Sequence, residues 1–342
     1  MTNQLWKTAA ASLLAVAVLS GCASGTPGAL QPSASPEAEQ PSASPGNKAE
    51  EKDSQVTPDR FAEMFLQGKY GQIYKQFSKE FKQQVSDSEF QALAADFNQG
   101  VSAYKLLSEL PMDNNVRYTW ASEDGSKGMT AVINPSGTIL GLQIVPLETF
   151  PETDGKYTSG KYLYPFSGEW FTYWGGTNVL VNYHYAYPGQ RYAFDWVILK
   201  DGQSYEGDPT KNESYFAFGQ PVLAPADGKI IKVVNDLDDN APVGKMDPAN
   251  PAGNHVVIEH ANGEYSMLAH FRKQSVQVQV GDEVKAGDLL GLCGNSGNSS
   301  EPHIHYHVSD SPDLDQGNSV RIQFIDDGDV TQGDYIRGSQ SE

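Results

Sequence analysis

Three histidines at alternate positions, His303, His305 and His307, follow a run of small and polar residues from Gly294 to Pro302. Glycine, asparagine, serine and proline in such density mark a loop, and the residues after it alternate as a strand does. Side chains two apart on a strand face the same way, so the three imidazoles form one row. A row of that kind can bind a metal, or it can be the wet face of a sheet. The surrounding chain decides which.

From Lys161 onward the sequence breaks into short β-like segments divided by glycine and proline, the pattern of an all-β sandwich or barrel over residues 160–330. The spacing predicts a hairpin with arms at 178–185 and 191–199 and its turn at Pro188-Gly189. Further segments lie at 219–231, 255–260, 265–270 and 280–291, with an acidic loop over 235–254. Tight turns are expected at Gly281-Asp282 and Ala286-Gly287-Asp288.

With the histidine row, this order resembles the lysostaphin-type zinc peptidoglycan endopeptidases, whose β fold is related to the lipoyl and biotinyl hairpin. The likeness covers most of residues 178–325. It implies one zinc ion held by a His and an Asp four residues apart and by the second His of the His-x-His pair. It also implies two assisting histidines, one ending the central strand and one opening the pair. Carried over by position, Asp195 and His305 are zinc ligands, while His270 and His303 assist catalysis. Three protein ligands leave a fourth position for water, which zinc acidifies, and the two histidines orient that water and stabilise the oxyanion.

The departure from the family lies at the first ligand. Four residues before Asp195 stands Arg191, a permanent cation that cannot coordinate zinc. In the expected hairpin, His184 lies roughly opposite Ala193, on the face shared by Arg191 and Asp195, so it can approach the carboxylate diagonally and replace the missing ligand. A half-exposed histidine among tyrosines is the alternative. His307, two positions beyond His305, is expected to line the groove as a bystander. His260 belongs to a turn and His255 opens a strand. Tyr162, Tyr164, Trp170, Tyr173 and Trp174 can stack on a glycan or fill a core.

The rest of the chain places this domain. Residues 1–22 have the charge, short apolar run and small residues of a signal peptide, and Leu19-Ser20-Gly21-Cys22 resembles the bacterial lipobox. Cys22 is therefore the expected lipid anchor, with the folded part outside the cytoplasmic membrane. Residues 23–55 repeat Pro-Ser-Ala-Ser-Pro and read as a disordered stalk. Residues 56–150 show three helices, with breaks near Gly68 and Ser86, and then a four-segment meander, an α+β arrangement. That pattern resembles a small domain of unknown function found ahead of bacterial enzymes, similar to the nuclear-transport-factor-like or cystatin-like folds. It holds no histidine or cysteine and reads as a non-catalytic spacer or ligand-binding module. Residues 331–342 read as a polar tail.

At 342 residues the chain has room for both domains, and a net charge of -19 excludes nucleic acid as a partner, since clustered cations are needed to replace counterions. Cys22 and Cys293 suggest no disulfide, and Cys293 reads as a buried apolar residue. Two functions remain. One is a zinc metalloendopeptidase hydrolysing peptide bonds of peptidoglycan. The other is a degenerate relative that binds the wall or regulates other wall hydrolases, with the Arg191 guanidinium paired to Asp195 in place of zinc.

Overall fold

The computed structural model describes residues 56–313, 317–326 and 328–338. Cys22, the signal-like stretch and the 23–55 stalk lie outside them. Among the described residues no helix is long and apolar enough to cross a membrane.

The helical pattern of the first region resolves into four helices rather than three: α1 (Pro58–Leu66), α2 (Tyr70–Lys75), α3 (Lys79–Gln84) and α4 (Asp87–Phe97). The extra break falls at Phe77, which leaves the helix to bridge Ile139, while Ser78 caps α3 by accepting from the Phe81 amide. Ser86 and Glu89 form a full capping box on α4. The helices cover an antiparallel sheet ordered β1 (Tyr104–Met112), β2 (Asn115–Ser122), β3 (Lys127–Ile133) and β4 (Ile139–Pro146). Phe61, Phe65, Trp120 and Met129 are buried between the two layers.

A short helix, α5 (Pro151–Asp154), leads into the second region, whose strands we number β5 (Tyr157–Tyr162), β6 (Gly168–Trp174), β7 (Phe194–Val197), β8 (Pro221–Leu223), β9 (Gly228–Val234), β10 (Asn254–Glu259), β11 (Tyr265–Phe271), β12 (Glu283–Val284), β13 (Leu289–Leu292), β14 (Ile304–Ser309), β15 (Ser319–Phe324) and β16 (Tyr335–Gly338). The main sheet runs β12-β9-β10-β11-β14-β7-β6-β16, with β15 joining β14 to β5. One face packs on a core rich in aromatic side chains, with Trp170, Trp196 and Tyr306 fully buried. Tyr162 and Tyr164 lie in the same core, so these two and Trp170 do not form a glycan platform.

Two expectations are corrected here. The hairpin over 178–199 does not form. Residues 178–192 make turns, with 3₁₀ segments at Tyr183–Ala186 and Pro188–Gln190, and only β7 is extended, paired to β6 and β14. The cause lies in two asparagines whose side chains compete with a strand ladder. Asn178 Oδ1 accepts from the Leu180 amide, and Asn182 Nδ2 reaches the carbonyls of Gly176, Arg191 and Ala193. The second correction concerns the polar tail, since β16 closes the edge of the sheet by pairing with β6.

Candidate metal centre

Asp195 on β7 and His305 on β14 are direct partners across the two antiparallel strands, so both side chains rise from the same face. The His305 Nδ1 lies 2.9 Å from Asp195 Oδ1. His303, just ahead of β14, brings its Nε2 to 3.6 Å from the same oxygen. His184 arrives from the 3₁₀ turn and sets its Nε2 3.6 Å from Asp195 Oδ2. Each of His184, Asp195 and His305 offers one ligand atom, and these atoms lie within 4.8 Å of one another.

The tautomer of His184 can be read from its partners. Its Nδ1 is 2.9 Å from Asn182 Oδ1, an oxygen that can only accept, so Nδ1 carries the proton and Nε2 carries a lone pair. That Nε2 is buried and has no hydrogen-bond partner. Burial pushes the His184 imidazole down to about 3, despite the attraction of Asp195. Burial would likewise raise the Asp195 carboxyl, but His184, His303 and His305 outweigh it and hold the group well below the usual carboxylate range. A neutral imidazole lone pair facing an ionised carboxylate is a repulsive arrangement that a cation between them would relieve. Two imidazoles and a carboxylate are a donor set suited to zinc, and His184 Nε2 already offers a free lone pair to it.

His270, next to last in β11, has its backbone at φ 64°, a left-handed conformation uncommon outside glycine and a candidate functional strain. Its Nδ1 donates to the Ser296 carbonyl at 2.8 Å, and its ring stands 4.7 Å from that of His303. His303 Nδ1 likewise meets the Glu301 carbonyl at 2.8 Å. Both histidines therefore keep Nε2 as the nitrogen available for chemistry. Burial lowers the His270 imidazole well below its ordinary value, which keeps it neutral. The cluster opens into a cleft of about 550 Å³ lined by Tyr183, Tyr187, Met267, His270, His305 and His307.

His307, expected to be a bystander, lines this cleft but also sets its Nδ1 3.0 Å from His305 Nε2, so it orients the ring of that candidate ligand. Period-two spacing had already put the two on one face; their direct bond was not visible in sequence. Asn182 was also missed, although an asparagine two residues before His184 is a recognisable turn signal. Arg191 is not paired to Asp195. Its guanidinium lies 3.3 Å from the Phe150 ring centroid and its Nε donates to the Tyr185 carbonyl. His260 is held by the Asp227 carbonyl and the Ser266 hydroxyl, and His255 Nδ1 by the Gly253 carbonyl.

Residues 214–322 match the peptidase family M23 model, a span that includes His270, His303 and His305 and leaves His184 and Asp195 outside it. An uncharacterized metalloprotease of Buchnera aphidicola is 33% identical over 90 residues, which is 26% of this chain and 20% of that protein. Peptidoglycan DD-endopeptidase ShyA of Vibrio cholerae is 33% identical over 90 residues, 26% of this chain and 17% of its own length. The chain thus spans a fifth or less of these two relatives. The catalytic domain of lysostaphin from Staphylococcus simulans is 21% identical, with 50% of this chain covering 95% of that one at a TM-score of 0.25.

Proposed function

We propose that this chain, which carries a peptidase family M23 domain, is a zinc metalloendopeptidase that hydrolyses peptide bonds of bacterial peptidoglycan outside the cytoplasmic membrane. The observation that carries the reading is the orphaned His184 Nε2 set against the Asp195 carboxylate beside His305. His184, Asp195 and His305 would hold the metal. Bound zinc supplies Lewis acidity, acidifying water and polarising a carbonyl. The substrate class comes from the relatives, one of which is named a peptidoglycan endopeptidase.

His270 and His303 do the proton work in this reading. Each has Nδ1 tied to a carbonyl, so Nε2 faces the reaction in a fixed orientation. One accepts a proton as water adds to the scissile carbonyl carbon, and the imidazolium returns it to the departing amine nitrogen. The other can stabilise charge on the carbonyl oxygen only as an imidazolium, with its Nδ1 still donating to its backbone carbonyl and its Nε2 donating to that oxygen. The cleft has the volume to take a peptide segment across the cluster.

Arg191 stacked on Phe150 supports the enzyme over the degenerate reading, in which that guanidinium fills the metal position. Attachment by lipid at Cys22, and kinship of the first region with nuclear-transport-factor-like or cystatin-like folds, complete the proposal from sequence and from the helix-then-meander order. Metal analysis of the full chain tests the reading: about one zinc per chain is expected, lost in His305→Ala, with new amino termini released from purified cell wall. A folded chain without metal sinks it.

A further inference from the structure

No strand carries His184, so no ladder fixes its position relative to Asp195. Besides β14 and β15 of its own region, its loop meets the first region and the connector after it. We propose that the α+β unit of residues 56–146, with the connector to Asp154, is a positioning element for His184, acting chiefly through Arg117. The inference rests on the metal-site reading above, and it assigns a task to a region that contributes no ligand of its own.

Three contacts carry it. Arg117, on β2, is the first. Its guanidinium stands 5.1 Å from the Trp174 ring and its Nη2 donates to Gln332 Oε1 at 3.0 Å. Ser108 of β1 donates to that same oxygen at 2.9 Å, and Gln332 Nε2 donates to the Tyr173 carbonyl at 2.8 Å. The first sheet therefore grips the end of β6, where Trp174 is the register partner of Asp195. Trp174 sets its edge against Tyr183 with centroids 5.5 Å apart, and Tyr183 lies 3.9 Å from the His184 ring. A run of packed rings thus joins Arg117 to the candidate ligand.

The second contact precedes His184. Gly128 of β3 lets Leu180 lie directly on the sheet backbone, since a Cβ there would come within 2.5 Å of Leu180 Cδ1. The third follows it. The Phe150 amide donates to the Tyr185 hydroxyl, which itself donates to Asp154 Oδ2 at 2.8 Å, and the Phe150 ring receives Arg191. His184 is therefore held on both sides by residues from outside its own loop. Metal affinity depends on such preorganisation, because groups that orient ligands typically govern it by ten- to a hundredfold.

Zinc competition against a chromophoric chelator, and the cobalt absorption spectrum, test this in the full chain. Arg117→Ala is expected to weaken zinc binding about tenfold and to shift the cobalt spectrum, with Arg117→Lys restoring part of both. Ile73→Val, in the distant first core, serves as the stability control and should lower the unfolding temperature without changing either. Should Arg117→Ala not fold, Gly128→Ala pushes on Leu180 from the other end of the loop and should weaken zinc severalfold. Wild-type zinc affinity in the folded Arg117 or Gly128 variant, or equal weakening by Ile73→Val, overturns the inference. A wild-type chain that binds no zinc removes the site reading itself, and this inference with it.

Discussion

Asp195 and His305 face each other across hydrogen-bonded strands, whereas His184 reaches the same carboxylate from a loop without a strand. The first pair is placed by register, and a slip of one residue in either strand would turn that strand's ligand into the core. The loop residue is placed by side chains: Asn182 fixes its tautomer, Tyr183 backs its ring, and Leu180 and Tyr185 anchor its flanks. The three ligands of one candidate site are thus held by different physics, two by register and one by side chains. The strand-borne half resists local change, while the loop-borne half is only as well defined as its anchors.

The largest effect should come from Asp195→Ala, which removes the carboxylate that all three neighbouring imidazoles share. Zinc affinity is expected to fall by about a thousandfold or more, because each ligand supplies several of the roughly ten or more kcal/mol that a zinc site can provide. Chelator competition would check it, and near-wild-type affinity would break the assignment of the strand half. Asn182→Ala tests the loop half without touching a ligand. It frees the His184 tautomer and the Arg191 and Ala193 carbonyls, so zinc binding should weaken by about ten- to a hundredfold. If the loss matched that of Asp195→Ala, the loop would be more than an orienting frame.

A third outcome concerns acid. His184 is held down to about 3 by burial, while in the unfolded chain a histidine titrates near about 6.5. Between those values the unfolded chain binds the additional proton, so stability of the metal-free protein falls as pH drops through that window and the loss is complete below the folded value. At pH 5 this group alone should cost on the order of 2 kcal/mol. Urea unfolding of the metal-free chain at pH 7 and pH 5, compared with His184→Gln, measures it: the variant should lose about that much of the dependence, while the other buried histidines, His270 and His307 among them, keep the rest. The smallest effect is expected from Arg191→His. With Arg191 directed at Phe150, an imidazole there should add no zinc, and what is lost is a cation–π contact and a hydrogen bond to the Tyr185 carbonyl, each about 1 kcal/mol. A gain of zinc would restore the degenerate reading that the present geometry disfavours.

Much of the fold was legible because its signals are local. The meander of the first region follows alternation and turn residues, and the break expected near Ser86 is where α4 starts. The break at Phe77 was not legible, because it answers to Ile139, more than sixty residues away. The 178–185 stretch alternates well enough to read as a strand, yet Asn178 and Asn182 satisfy the backbone by other means. The same segment illustrates the limit for the site. His184 was proposed for its approach to Asp195 through a hairpin; it makes the approach through a 3₁₀ turn that no strand register describes.

The sequence by itself determined that His303, His305 and His307 share a face, because period-two geometry is a property of any strand. It also determined that Arg191 can be no zinc ligand, because a guanidinium has no lone pair to offer. Only the tertiary structure decided that Arg191 turns to Phe150, that His307 bonds His305 and that the first region buttresses the loop of His184. Those outcomes depend on contacts between residues far apart in the chain, and such contacts exist only once both hydrophobic cores have closed around them.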